Sequence, residues 1–163
     1  MVVTVYPFSL TFNPKNKYMK KAICVFFVCL LIKFSVAQET KQKIERACLD
    51  YIEGFYEGDT AKIIRSIKPS LYKFGYWKNK TSRKYEVDEQ MTYKAAIKYA
   101  RNVYEKKKFA KEDSPKKVDV LDIMNSIAAA KVTAWWGVDY VLLSKQNDTW
   151  MIEEVLWEGP LEK

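Results

Sequence analysis

Glu154, next to Glu153, is the carboxylate of this chain read as a candidate for proton transfer. Both sit in residues 135–159, WWGVDYVLLSKQNDTWMIEEVLWEG, a stretch holding four of the five tryptophans. A carboxylate among aromatic rings has its pKa raised by desolvation and can serve as a base. Adjacent residues of a strand point to opposite faces, so the two glutamates do not read as a pair acting on one substrate. Other reactive groups are scarce. The chain contains no histidine, which removes histidine acid–base catalysis, Ser-His-Asp and Cys-His nucleophiles, and the commonest metal ligand. No glycine-rich phosphate loop, dinucleotide fingerprint or cysteine cluster occurs, so no cofactor and no metal is expected. The catalytic set is therefore empty, with Glu154 the one candidate if the chain is an enzyme.

The element that delivers the chain is read from its first 37 residues. Met19, Lys20 and Lys21 precede an eleven-residue apolar run from Ala22 to Ile32, and Ser35-Val36-Ala37 follows. A basic head, a short apolar middle and small residues before the cut form a secretory leader. The run is too short for a bilayer, which needs ~20 residues. The expected boundaries are thus 1–37, an upstream extension plus cleaved signal peptide (Met19 to Ala37), and 38–163, the exported domain, secreted or periplasmic. No stable membrane span is expected after cleavage. Lys15, Lys17, Lys20, Lys21 and Lys33 leave with the leader and no acid does. The count of 28 basic against 20 acidic residues becomes 23 against 20, and net charge falls from +8 to +3. So small an excess gives no reason to expect nucleic acid as a partner. Only Cys48 of three cysteines remains, which excludes an internal disulfide.

The domain opens with helices. Ile44, Ala47, Cys48, Tyr51, Ile52, Phe55 and Tyr56 recur at helical spacing and form one buried stripe, with Cys48 a small hydrophobe inside it. Gly58 ends that helix and Asp59 caps a short second one, which stops before Pro69. SLYKFGYWKN then reads as a strand, and a third helix covers about 92–107 behind Thr92. KKKFAKEDSPKK is a charged loop. Beyond Pro115 the chain is all strand, in three runs: VDVLDIM, AAAKVTAWWGVDYVLLSK and TWMIEEVLWEG. Helices followed by antiparallel strands make an α+β domain with helices on one sheet face.

YIEGFYEGDTAKIIRSIKPSL in the helical part, with VDVLDI, AAAKVTAWWGVDYVLL and TWMIEEVLW in the sheet, resembles the nuclear transport factor 2-like superfamily. The likeness is to its secreted bacterial branch labelled "putative lumazine-binding", and it covers nearly all of 40–158. The resemblance implies a cone: about three N-terminal helices packed on a curved, mainly antiparallel sheet, with a cavity at the wide mouth and homodimers through the sheet. That superfamily holds isomerases, dehydratases, cyclases and plain binding domains, so the fold does not choose among them. Where secreted relatives commonly carry His-Pro between the second helix and first strand, this chain has Lys68-Pro69. No His–Asp arrangement carries over.

Strand alternation assigns the faces. Val132, Ala134, Trp136, Val138, Tyr140 and Leu142 are uniformly apolar and should face the helices. Lys131, Thr133, Trp135, Asp139 and their alternates should face away, with Asp139 in solvent or at a dimer contact. Trp135 outside also favours a dimer interface. Gly137, read as mid-strand, permits a bend. The resemblance points the Trp150-x-Ile152 face inward and so puts Glu154 on the concave side. The expected ligand wall is Tyr51, Phe55, Tyr72, Trp77, Tyr93, Trp136, Tyr140, Trp150 and Glu154, suited to a small aromatic or heterocyclic molecule. All of these rings serve equally well as ordinary core. Two functions follow: a non-catalytic exported domain binding a small molecule or a protein through the cavity, or a histidine-free isomerase or cyclase using Glu154 and a tyrosine hydroxyl such as that of Tyr51, Tyr72 or Tyr93.

Overall fold

The computed structural model of the chain describes residues 17–88 and 90–160, with side chains from Ala37 onward. It divides into two compact units, residues 1–38 and 39–163. In the first, the described backbone is helical from Lys17. The side chains expected to form the leader lie outside the described residues, as does the upstream extension before Lys17. Among the described residues no helix is long and apolar enough to cross a membrane.

The second unit is built as the apolar spacing predicts. Residues 39–57 of α1 (Lys17–Glu57) bury Ile44, Ala47, Cys48, Tyr51, Ile52, Phe55 and Tyr56. Gly58 ends the helix at φ 69°, a conformation that glycine adopts without steric cost. The Asp59 carboxylate then accepts from the Ala61 and Lys62 amides at 2.8 and 3.1 Å and starts α2 (Thr60–Ser66). Thr92 does the same for α3 (Tyr93–Glu105) through the Ala95 amide. The strands are β1 (Ile67–Lys78), β2 (Tyr85–Val87), β3 (Lys117–Ile123), β4 (Ile127–Ala134), β5 (Gly137–Gln146) and β6 (Thr149–Gly159). They form one curved, open sheet in the order β2-β1-β6-β5-β4-β3, antiparallel throughout except for the β1–β6 pair. This is the α+β arrangement expected, three helices against one face of the sheet. Its core joins Val132, Ala134, Val141, Leu143, Ile152 and Val155 to the buried stripe of α1 and to Ile63 of α2. Full burial stabilises each such aliphatic side chain by roughly 1.5–3 kcal/mol.

Two irregularities change which side chains face this core. Residues expected to form one strand are a hairpin: Ala134 pairs with Gly137, and Trp135-Trp136 is the two-residue turn between β4 and β5. Chain reversal resets the alternation. Val132 and Ala134 point inward as expected, but on β5 the inward set is Gly137, Asp139, Val141 and Leu143. Tyr140 and Leu142 are 54% and 50% exposed on the outer face. Gly137 stands at the start of β5, not mid-strand. Its φ is 146° and a Cβ there would run into the Glu158 carbonyl, so both space and backbone demand glycine. The second irregularity is a bulge in β6. Leu142 pairs with Glu154 and Leu143 with Ile152, leaving Glu153 as the extra residue. Past it the inward set becomes Val155, Trp157 and Gly159, and Glu154 turns outward.

Ion pairs tie the helices together. Asp50 receives Arg65 through two nitrogens at 2.6 and 2.7 Å, joining α1 to α2. Glu53 is held by Arg46, Lys62 and Lys116. Burial pushes the Glu53 carboxyl up, but hydrogen bonds from Lys62, Arg46 and Lys116 together bring it down from 4.5 to about 2. A depressed carboxylate stabilises the fold fully above its unfolded value and loses that contribution as pH falls toward the folded value. Glu53→Gln should therefore melt below the wild type near neutrality, with the gap closing between pH 4.5 and about 2. Melting temperatures of the two proteins across that range check it; a gap that stays constant into acid overturns the assignment.

Candidate functional site: an aromatic cavity floored by a buried ion pair

Asp139 is wholly buried between the sheet and α1. Each of its oxygens is occupied. Oδ2 accepts from the Tyr51 hydroxyl at 2.6 Å and from Lys73 Nζ at 3.1 Å, and Oδ1 accepts from Trp136 Nε1 at 2.7 Å. Lys73, with its side chain 7% exposed, comes from β1. There the alternation Leu71, Lys73, Gly75, Trp77 faces inward. A buried charge is tolerated only when paired and hydrogen-bonded, and here one carboxylate has three donors. Burial lowers the Lys73 pKa and Asp139 opposes that shift. Burial also raises the Tyr51 hydroxyl well above its ordinary value, and the Asp139 charge adds to this. Tyr51 thus stays a neutral donor.

Aromatic rings enclose the ammonium. Lys73 Nζ lies 5.2 Å from the ring centroid of Trp157, 5.6 Å from Tyr51 and 5.9 Å from Trp136, within cation–π range. Trp157 has room to lie there because its β1 neighbour is Gly75, where any Cβ would collide with the indole. Trp136 meets Tyr51, Phe55 and Tyr56 edge-on, with centroids 5.7–6.0 Å apart. The hairpin tip that carries it is tethered to α1: the Tyr56 hydroxyl accepts from the Trp135 amide at 2.8 Å and donates to the Pro115 carbonyl.

Above this floor is an open cavity of about 230 Å³. Phe55 of α1, Lys73 and Trp77 of β1, and Trp157 of β6 form one part of the wall. Tyr99 of α3 and the turn pair Trp135 and Trp136 complete it, with Asp88 and Met91 beside them. Asp88 and Met91 are held along β1 by backbone bonds to Gly75 and Lys73. The lining is mostly aromatic, with Lys73 and Asp88 as its charged residues. Such a site can stack a flat molecule and direct one or two polar contacts.

Of the residues expected in the ligand wall, the structure gathers Phe55, Trp77 and Trp136 at this cavity and sets Tyr51 beneath it. Tyr93 is half-buried against the core. Trp150 is buried in the core near the β5–β6 turn, at the far end of β6 from Trp157. Three expectations fail on placement. Tyr72 is on the outward parity of β1, Tyr140 is turned out by the hairpin, and Glu154 is turned out by the bulge. Tyr72 and Glu154 instead line a groove on the outer face together with Glu153 and Leu142. The two glutamates therefore open on the same side, because the bulge cancels their alternation. Asp139, expected in solvent or at a dimer contact, is wholly buried and the most enclosed acid of the site. Lys73, Asp88, Met91, Tyr99, Asp139 and Trp157 were not anticipated, and Trp135, expected outside at a dimer contact, stands instead in the turn at the cavity wall. The inward parity of Leu71, Lys73, Gly75 and Trp77 was the available signal for Lys73.

The fold and this cavity define a nuclear transport factor 2-like domain. The chain belongs to the family described as "putative lumazine-binding", whose pattern matches residues 39–158. Its fold is similar to that of an NTF2-like protein of unknown function from Shewanella baltica, at 16% identity and a TM-score of 0.56, covering 77% of this chain and 97% of that one. A protein of unknown function from Silicibacter pomeroyi is similar at 12% identity and a TM-score of 0.55, covering 74% and 96%. The association domain of CaMKII from C. elegans shares the fold at 12% identity and a TM-score of 0.50, covering 75% and 97%. No curated protein is similar enough to this chain to add a comparison.

Removing the Asp139 carboxylate leaves Lys73 buried without its counter-charge, and breaking a buried pair from one side costs ~3–5 kcal/mol. Asp139→Ala should lose about that much in urea unfolding, whereas Lys73→Met with Asp139→Asn should recover most of it. A single variant as stable as the wild type would overturn this account of the cavity floor.

Proposed function

We propose that the domain is an exported, non-catalytic binding protein for a small, flat aromatic or heterocyclic molecule. One observation carries this: a cavity walled by six aromatic rings ends on a buried Lys73–Asp139 pair whose carboxylate accepts three hydrogen bonds. A volume of about 230 Å³ suits one or two fused rings rather than a larger ligand. The family description supports a small ligand. Absence of catalysis is supported by the chemistry of the side chains. Asp139 has both oxygens engaged, and Glu154 is exposed on the outer face, where its neighbour Tyr72 lines an open groove rather than a closed cavity. Export rests on the leader pattern of residues 19–37; a full-length chain retained in the cytoplasm would remove that part. For binding, the test is a panel of one- and two-ring aromatic and heterocyclic compounds followed by melting temperature and calorimetry. At least one should raise the melting temperature, and Trp135→Ala at the cavity rim should weaken it about tenfold, or ~1.4 kcal/mol. A panel without any stabilising compound overturns the reading.

The outer sheet face favours a second role, a homodimer. Tyr72, Ile127, Tyr140, Leu142 and Leu156 are all about half exposed across neighbouring strands. Exposed apolar side chains gathered on one face, with Glu154 in register between Leu142 and Tyr72, support an interface, and a second copy presents the same surface to it. Sedimentation should show a dimer that Leu142→Glu converts to monomer. A monomeric wild type at tens of micromolar would overturn it.

A further inference from the structure

A second hollow, of about 260 Å³, opens beside the aromatic cavity and shares Phe55, Tyr99 and Trp135 with it. Val103 and Phe109 extend its apolar wall, and Lys108, Lys111 and Ser114 supply the polar part. Asp88 lines the aromatic cavity but not this hollow, and no acid is among the residues that line it. The loop carrying both lysines is fastened by its backbone. The Lys108 amide donates to the Val103 carbonyl at 2.9 Å, and the Ala110 amide donates to the Tyr56 carbonyl of α1 at 3.0 Å. The Ser114 amide closes the loop onto the Lys111 carbonyl at 3.0 Å. Lys116 and Lys117, a few residues on, are paired with Glu53 and Asp119. Lys108 and Lys111 are exposed, and among the described residues neither joins an ion pair. An exposed ammonium on a flexible stem is free to turn toward an anion.

The charge of the domain is concentrated at the same place. Residues 94–113 hold seven basic residues against three acidic ones, a surplus of four, while residues 38–163 together carry +3. The remainder is therefore slightly negative, and the field draws anions to the side of α3 and its following loop. We propose that the second hollow is an anion subsite continuous with the aromatic cavity. The ligand is then a flat ring on a flexible tail that ends in a carboxylate or phosphate. The tail passes over Tyr99 and Trp135, the rings common to both spaces, and its terminus meets Lys108 and Lys111. The subsite rests on the aromatic cavity being the ring site.

Three probes of matched shape test this by calorimetry on the intact chain: 4-(2-naphthyl)butanoate, 4-(2-naphthyl)butanamide and 4-(2-naphthyl)butylammonium. At low salt the carboxylate should bind about three- to tenfold tighter than the amide, as one or two solvent-accessible ion pairs supply, and the ammonium should bind weakest. At about 1 M salt, where charges are screened beyond roughly 3 Å, that advantage should vanish. Lys108→Glu with Lys111→Glu, both exposed positions, should reverse the order and make the ammonium the tightest. An amide that binds the wild type as well as the carboxylate does overturns the subsite. A carboxylate preference that survives the double substitution overturns its assignment to these lysines. The wild-type salt series decides even where the variant does not fold. If none of the three binds, the subsite falls: a compound from the wider panel above that still binds leaves the ring site standing, and a panel without one removes both.

Discussion

The Asp139 carboxylate constrains the rest of the site. It draws one donor from each of three elements: Tyr51 from α1, Lys73 from β1 and Trp136 from the β4–β5 turn. Burying an anion costs far more than burying an alkyl group, and the cost is offset only while all three donors hold their geometry. Helix, strand and turn are thereby kept in one relation. The cavity above is the space their side chains cannot fill: the ammonium must stay near its counter-ion, and the indoles of Trp136 and Trp157 must stay near the ammonium.

Glycine and tyrosine make this geometry possible. Gly75 leaves the space into which Trp157 folds, and Gly137 allows β5 to begin against the Glu158 carbonyl. The Tyr56 hydroxyl bonds to both the Trp135 amide and the Pro115 carbonyl, fixing the turn and the loop before β3 to α1 with one atom. Where β5 meets β6 the turn is Asn147-Asp148, both at positive φ, the type I′ pair suited to a twisted hairpin. Lys43 of α1 reaches Asp148 there at 2.6 Å. Both ends of β5 are thus bonded to the same helix.

The helices and the class of fold were legible in the sequence because their signals are local: a stripe at helical spacing, an Asp59 or Thr92 cap, a Gly58 stop. Strand content after Pro115 was legible for the same reason. Face assignment was not, because it depends on where alternation restarts. Trp135-Trp136 carries none of the usual turn residues, so residues 132–142 looked like one strand, and every assignment after the turn came out inverted. The Glu153 bulge did the same to Glu154, since an extra residue leaves no mark on a run of apolar and acidic side chains. Lys73 and Asp139 were hidden more deeply. A lone lysine or aspartate in a strand is normally a solvent-facing residue, and only partners 66 positions apart in sequence, brought together by the fold, make burial tolerable. Phe55, Trp77 and Trp136 stand at the cavity while Tyr72 and Tyr140, singled out on the same grounds, face outward, so ring size alone did not separate the two groups.

The placement of the indoles has an optical consequence. Of five tryptophans in the chain, Trp77, Trp135, Trp136 and Trp157 border one cavity, and Trp150 alone lies elsewhere. Most of the indole absorption of this protein therefore arises around a single small volume, next to an ammonium and a carboxylate whose fields shift indole spectra. The domain carries its own fluorophore array, tuned by the same charges that shape the space between the rings.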